Sequence, residues 1–166
     1  MKQSVLIIDG YNVLWRSRAF GKSLDVSLEK ARTDLIGLVR KYRSRTSAFS
    51  TVVIVFDGGA NPGGSKAFSD GTVRVRFSGP GESADDLIRA IVRRHAGGST
   101  VAVVSDDNYV GNNARAHGAR LISVAGLMAL IDRGRTAPSA AEDEKDIDAA
   151  TAADITASLK KIWRVG

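Results

Sequence analysis

The segment SVLIIDG, Ser4 to Gly10, is a short run of aliphatic side chains that stops at an aspartate and a glycine. Such a continuous apolar run predicts a strand buried on both faces, as in the parallel sheets of α/β proteins. Thr51 to Asp57 (TVVIVFD) and Thr100 to Asp106 (TVAVVSD) repeat the arrangement. Because the carboxyl ends of parallel strands meet at one edge of a sheet, we expect the acids that follow these strands to lie close together.

Between the strands, apolar residues recur every three or four positions, which is the spacing of amphipathic helices. Ser83 precedes one such segment, and Asp86 lies three residues after Ser83, which is the pattern of a capping box. The predicted helices are Leu24 to Tyr42, Ala84 to His95, Ser105 to His117 and Ala125 to Ile131. Alternation of strands and helices predicts an α/β fold with a mostly parallel central sheet and helices on both faces.

Two further strands complete the predicted sheet. Val73 to Phe77 alternates valine with arginine, as expected of a half-exposed strand near a sheet edge. Arg120 to Val124 supplies the last strand. The 15 residues from Gly58 to Thr72 contain five glycines and Pro62, so we expect a long functional loop with no regular structure.

The composition of the chain changes after Arg135, where the sequence RTAPSAAEDEKD predicts a linker. Apolar residues then recur at helical spacing between Ile147 and Ile162. We therefore assign residues 1–135 to one α/β domain, and residues 136–166 to a linker and a C-terminal helix packed on the domain or on a partner.

The 166 residues include no cysteine, which excludes disulfide frameworks, thiolate zinc sites and cysteine nucleophiles. The apolar run at the N-terminus stops at Asp9, far short of the length of a signal sequence or a membrane span. We therefore expect a cytoplasmic protein without membrane contacts.

Positive charge is concentrated in the first 135 residues. This part holds 20 basic and 12 acidic residues, a net charge of +8, whereas the remainder holds 4 basic and 6 acidic residues, a net charge of −2. A basic surface with its acids gathered at one site is typical of proteins that bind a phosphate backbone. A merely soluble basic domain remains the simpler interpretation of the charge alone.

Four acids form the candidate site: Asp9, Asp57, Asp85 and Asp106. Carboxylates about 4 Å apart would repel by on the order of 4 kcal/mol per pair at an effective dielectric near 20, so a cluster predicts a bound cation or raised pKa values. Oxygen ligands favour Mg²⁺ or Mn²⁺ over zinc. Each acid alone also fits a turn or a helix cap; the repetition after successive strands favours the metal site and phosphodiester hydrolysis.

Polar neighbours of these acids are candidates for positioning. Asn12 lies three residues after Asp9 and is suited to orienting a carboxylate or the attacking water. Ser105, beside Asp106, is suited to holding water or a phosphate. A turn residue and a helix cap are the ordinary explanations of the two.

Several residues are candidates for contact with nucleic acid. Trp15 and Phe20 follow the first acid among cations, where an aromatic ring can stack on an unpaired base. Aromatic side chains such as these are more often buried in the core. The candidate phosphate contacts are Arg16, Lys66, Arg74 and Arg76.

Four segments resemble the motifs of the YacP-like branch of the NYN family, which belongs to the PIN-like nucleases. They are IIDGYNVL (Ile7 to Leu14), VIVFDGG (Val53 to Gly59), ESADDLI (Glu82 to Ile88) and VVSDD (Val103 to Asp107). The resemblance covers Val5 to Ile131 and implies a three-layer α/β/α PIN-like fold, a Mg²⁺ or Mn²⁺ site and RNA endonuclease activity. It places the four acids and Asn12 at matching motif positions, and a ribosome-associated mRNA endonuclease belongs to this branch.

The sequence and the resemblance together predict a metal-dependent endoribonuclease that cleaves single-stranded RNA, with mRNA on the ribosome as one candidate substrate. Two alternatives stay open. A non-catalytic RNA- or ribosome-binding module would keep the fold and the basic surface and would bind RNA without cutting it. A DNA-directed nuclease would cut single-stranded or flapped DNA at least as fast as RNA.

Overall fold

The computed structural model describes residues 2–60, 68–69 and 71–136, which form one central sheet with helices on both faces. The strands are β1 (Gln3–Asp9), β2 (Thr51–Phe56), β3 (Phe68–Ser69), β4 (Val73–Phe77), β5 (Ser99–Val104) and β6 (Arg120–Ile122). Their order across the sheet is β3-β4-β2-β1-β5-β6. Among the strands of the described residues, five are parallel, and the two-residue β3 at the edge is antiparallel to its neighbour. The predicted mostly parallel sheet is confirmed.

The described residues form six α-helices: α1 (Gly10–Arg16), α2 (Gly21–Val26), α3 (Leu28–Arg45), α4 (Ala84–His95), α5 (Asn108–Ala116) and α6 (Val124–Thr136). Successive side chains of a strand point to opposite faces, so β1 contributes to two cores. Leu6 and Ile8 pack on the face that also buries Leu35 of α3 and Leu127 of α6. Val5 and Ile7 pack on the opposite face, below α4 and α5. The molecule is therefore the three-layer α/β/α sandwich that the resemblance implied.

The single long helix predicted from Leu24 to Tyr42 is wrong, because the chain forms two helices there. Ser27 has an extended backbone (φ −169°, ψ 159°) between α2 and α3, and its hydroxyl accepts a hydrogen bond from the Lys30 amide at 2.9 Å. A side chain that caps the second helix ends the first, since the capping residue leaves helical geometry. Helix α1 was not predicted; it forms where Val13 and Leu14 bury themselves against the sheet.

The expectation of an entirely irregular segment between Gly58 and Thr72 is also wrong. A 3-10 turn spans Gly58–Ala60, and β3 pairs with β4 through Phe68 and Ser69. Residues 61–67 and 70 lie outside the described residues, and so do 137–166, which carry the predicted linker and C-terminal helix. Helix α6 continues past the predicted end at Ile131. No helix in the described ranges has the length and apolar character needed to cross a membrane.

Candidate active site

Asp9 is the last residue of β1 and lies at the carboxyl edge of the sheet, with only 9% of its surface exposed. The register of β1 with β5 pairs Ile8 with Val104, so the next residue of each chain segment, Asp9 and Ser105, come together. The Ser105 hydroxyl donates to Asp9 Oδ2 at 2.9 Å and accepts from the Asp107 amide at 3.1 Å. Ser105 is 1% exposed, so this buried hydroxyl fixes the orientation of the Asp9 carboxylate.

The environment of Asp9 disfavours its charged form. The pKa of Asp9 is raised to about 6, mainly by burial and to a smaller extent by the charges of Asp107 and Asp85. The hydrogen bonds from Ser105 and from the Asn12 backbone act in the opposite direction. Asp9, Asp85 and Asp107 therefore lie within electrostatic reach of one another at this edge.

Asp85 is delivered to the site by the first turn of α4. The Ser83 hydroxyl accepts from the Asp86 amide and the Asp86 carboxylate accepts from the Ser83 amide, both at 3.1 Å, which confirms the predicted capping box. Burial raises the pKa of Asp85, and the Arg89 guanidinium lowers it through an ion pair at 3.1 Å. The Asp107 carboxylate is among the charges that raise this pKa, which links α4 electrostatically to the start of α5.

Asp107 is the N-cap of α5, and its Oδ1 accepts from the amides of Tyr109 and Val110 at 2.8 and 3.2 Å. The capping role expected in this segment is therefore confirmed for Asp107. Its charge also raises the pKa of Asp9 and of Asp85, an effect that the sequence did not distinguish from capping. The sequence signal for this electrostatic effect was the pair of consecutive acids after β5, Asp106 and Asp107.

Asp106 and Asp57 have different neighbours. Asp106 Oδ1 accepts from the Val124 amide at the start of α6 at 2.9 Å, and the Asp106 amide donates to Asn12 Oδ1 at 2.8 Å. Asp57 lies just beyond β2, where its Oδ1 accepts from the Gly59 amide at 2.9 Å.

The YacP-like NYN domain family matches residues 6–164. The chain belongs to this family. The match extends beyond Ile131, where the resemblance of the four motifs ends, and the family is of nuclease type.

Two solved structures share the NYN fold of this chain. Rae1 (YacP) from Bacillus subtilis is 22% identical with a TM-score of 0.67, over 97% of this chain and 91% of that one. The structure of a mutant of the same Bacillus subtilis protein is 24% identical with a TM-score of 0.67, over 81% of this chain and 77% of that one. At these identities the likeness supports the fold alone. No curated protein sequence matches the chain.

The acidic edge of this NYN domain fits a divalent cation in its donor chemistry. NYN and PIN-like nucleases generally use divalent metal ions, and Asp9, Asp85 and Asp107 offer the carboxylate oxygens that hard cations prefer. The pKa of Asp9 is raised partly by its neighbours' charges, which a cation would offset. Among the described residues, no three acid or histidine side chains already form a group that could hold a metal ion.

The candidate nucleic-acid contacts of the NYN domain are on its surface. Arg16, Arg74 and Arg76 are exposed, whereas Lys66 lies outside the described residues. Trp15 is 64% exposed, contrary to the more usual core position, and its ring stacks on Tyr11 with centroids 5.2 Å apart. Phe20 is buried in the core.

Tyr11 makes the aromatic surface around Trp15 rigid. Its hydroxyl accepts from Arg32 Nη1 at 2.9 Å, and its ring packs on Phe56 with centroids 5.0 Å apart. Tyr109, in the first turn of α5, is a second exposed ring, at 63%. Sequence reasoning did not single out Tyr109, Asp107 or Arg89, because their place beside the site depends on how α4 and α5 meet the sheet edge.

Proposed function

We propose that this NYN domain is a metal-dependent endoribonuclease that cleaves single-stranded RNA and uses Mg²⁺ or Mn²⁺. The observation that carries the proposal is the position of Asp9, which Ser105 holds at the carboxyl edge of a parallel sheet; the charges of Asp107 and Asp85 act on it there. Open parallel sheets place ligands at this edge. The cytoplasmic location stays a prediction from the sequence.

The ligands that we propose are Asp9, Asp57, Asp85 and Asp106, and the structure adds Asp107 as a candidate through its electrostatic effect on Asp9 and Asp85. A bound divalent cation stabilises the negative charge that develops on a phosphate during hydrolysis. Ser105 keeps the Asp9 carboxylate aimed at the edge. Asn12 holds the backbone of Asp106 and so fixes the connection between β5 and α5.

Substrate contacts complete the proposal. Arg16, Lys66, Arg74 and Arg76 would bind backbone phosphates, since guanidinium and ammonium groups pair with phosphate oxygens. Trp15, supported by the Tyr11 ring, would stack on an unpaired base. The preference for RNA, and for mRNA on the ribosome, rests on the resemblance to the YacP-like branch.

The test is cleavage of end-labelled single-stranded RNA, free and on translating ribosomes, with Mn²⁺ or with EDTA. We expect metal-dependent cutting by the wild type and none by Asp85→Asn. Asp132→Asn is the matched control, because Asp132 is an exposed carboxylate on α6 whose partner, Arg135, is also exposed. Equal cutting by Asp85→Asn and the control would contradict the proposal.

One observation favours the non-catalytic binding module. The Arg89 guanidinium already neutralises Asp85, and the described acidic side chains form no group of three ready to hold a metal. This alternative expects salt-sensitive RNA binding that is equal in wild type and Asp85→Asn, with no cutting under any condition. A single-stranded DNA of the same sequence in the same assay tests the DNA-directed alternative.

A further inference from the structure

A basic groove lies between α4 and β4, on the face of the sheet that carries α4 and α5. Its volume is about 270 Å³. It is lined by Val53, Arg74, Arg76, Ile91, Arg94 and His95. We refer to these residues as the basic groove. Two aliphatic side chains form its floor, and the other four are arginine or histidine.

The sheet topology explains why the groove exists. Helix α4 packs on β1, β2 and β5, while β4 lies further towards the edge of the sheet. Val73 and Val75 point into the core on the opposite face, so Arg74 and Arg76 point to the face of α4. An apolar side chain here would be left in water, and the exposed arginines suit a strand that α4 does not bury.

The positive charge of the groove is not compensated within the described part of the chain. Arg74, Arg76 and Arg94 are exposed, and no carboxylate among the described residues pairs with them. On the same helix, Arg89 is paired with Asp85, and Arg93 Nε donates to His117 Nε2 at 3.0 Å. The unpaired guanidinium groups of the groove are therefore available to an anion.

The groove begins level with the acidic edge. Asp9 is paired with Val55 in the sheet, and Val55 is paired with Arg76, which puts Arg76 two strands or about 10 Å from Asp9. Helix α4 starts beside the acids at Asp85 and runs back along the sheet. Arg94 is nine residues further along it, which is about 14 Å at the rise of an α-helix. Cations thus line a path that leads away from the site.

We propose that the basic groove binds the sugar-phosphate backbone of the RNA strand on one side of the bond that is cut. The three guanidinium groups of the groove, over an aliphatic floor, match the phosphates of a nucleic-acid backbone. The groove therefore contributes affinity and sets the direction of the strand. This inference rests on the proposed function, because it takes RNA as the ligand and the acidic edge as the place of cleavage.

The test is binding of a fluorescently labelled, unstructured single-stranded RNA by the full chain in EDTA, over a series of salt concentrations. The test variant is Arg74→Gln/Arg94→Gln. The matched control is Arg45→Gln/Arg115→Gln, which removes two exposed arginines from the last turns of α3 and α5. Both variants lose the same charge, so a general effect of net charge appears in both.

Each phosphate contact with a single strand contributes about 0.7 to the slope of log K against log salt. We expect the groove variant to reduce this slope by about 1.4 and to weaken binding by about tenfold at low salt. The control should stay close to the wild type. Arg74→Lys/Arg94→Lys should keep most of the slope, since it keeps both charges. A loss of binding caused by misfolding would instead appear in the lysine variant as well as in the glutamine variant.

Equal slopes and affinities for the groove variant and the control would overturn the inference, and so would a loss in the lysine variant equal to that in the glutamine variant. Because binding is measured without metal, the result does not depend on catalysis. A wild type that binds through the groove but never cuts RNA contradicts the proposed function alone. A wild type that cuts RNA, with a groove variant that binds like the control, contradicts the groove alone.

Discussion

Asp9 is 9% exposed, and burial together with the charges of two acids raises the pKa of its carboxyl group to about 6, from an ordinary value of 3.8. A shift of this size disfavours the charged form by about 3 kcal/mol in the absence of a cation. A buried charged carboxylate lowers the free energy of unfolding. Buried carboxylates with raised pKa values are frequent at functional sites. Asp9 therefore lowers the stability of the metal-free protein and is at the same time the residue on which the proposed activity depends most.

Asp9 makes stability depend on pH. The folded-state pKa is above the unfolded one, so the folded protein binds more protons between about pH 4 and pH 6. The free energy of unfolding in EDTA should fall over this window as pH rises, by up to about 3 kcal/mol from this group, and then level off. Urea unfolding of wild type and Asp9→Asn from pH 4 to pH 8 measures the difference. Parallel curves for the two proteins would show that Asp9 is not perturbed.

The same residue predicts a response to metal. A ligand that binds only the folded state stabilises it by RT ln(1 + L/Kd), where L is the free ligand concentration. Mn²⁺ at neutral pH should therefore raise the melting temperature of the wild type more than that of Asp9→Asn, with Asp132→Asn as the control. An equal rise in the melting temperature of all three proteins would show that Mn²⁺ binds at a site that does not include Asp9.

Ser105 provides a positioning role that can be separated from binding. Ser105→Ala removes the hydrogen bond to Asp9 and the acceptor of the Asp107 amide, a loss of about 1–3 kcal/mol in stability for buried groups. We expect a lower cleavage rate with unchanged RNA affinity in EDTA. Ser44→Ala is the control, since that exposed hydroxyl bonds only within α3. Loss of RNA affinity in Ser105→Ala would show a direct substrate contact instead.

Substitution of Trp15 tests whether its ring stacks on a base of the RNA. Stacking of a base on an aromatic side chain is worth about 1–3 kcal/mol, so Trp15→Ala should weaken RNA binding by that amount while Trp15→Phe retains most of it. Val26→Ala, at an exposed aliphatic residue on α2, controls for loss of apolar surface. Fluorescence anisotropy with single-stranded RNA measures all three. Equal affinities of the two Trp15 variants and the wild type would exclude stacking at this position.

At the scale of elements, the parts that sequence could predict were those with a local signal. The run of Val and Ile in β1 and β2, the Ser83 and Asp86 capping box, and the alternation of β4 each encode their own structure. The break at Ser27 was missed because an apolar pattern of three and four continues through it. Helix α1 was missed because its apolar residues are too few to show a period before they pack.

The candidate site was predictable in its outline but not in its detail. Strand order brings Asp9 and the acids after β5 to one edge, and that follows from a parallel sheet. Which of Asp106 and Asp107 acts on the pKa of Asp9 depends on tertiary contacts, since Asp106 bonds to the start of α6 and Asp107 caps α5. Local sequence carries no signal for that choice.

The molecule as a whole separates two kinds of charge. The charges of Asp85 and Asp107 act on Asp9 at the carboxyl edge of the sheet, while the net charge of the chain is +6. One face of the sheet is covered by α1, α3 and α6, and α4 and α5 leave the basic groove open beside β4 on the other. An acidic centre with a basic approach is the arrangement that a phosphodiester substrate and a divalent cation require together.

The most direct measurement is the single-turnover rate of RNA cleavage by wild type and Asp9→Asn, at saturating protein with Mn²⁺ present, so that differences in affinity do not enter. Asp132→Asn again serves as the control. We predict a loss of about a hundredfold or more for Asp9→Asn alone, because the variant lacks the central carboxylate of the site. Equal rates for Asp9→Asn and the control, with metal-dependent cutting by all three proteins, would place the chemistry outside the acidic edge.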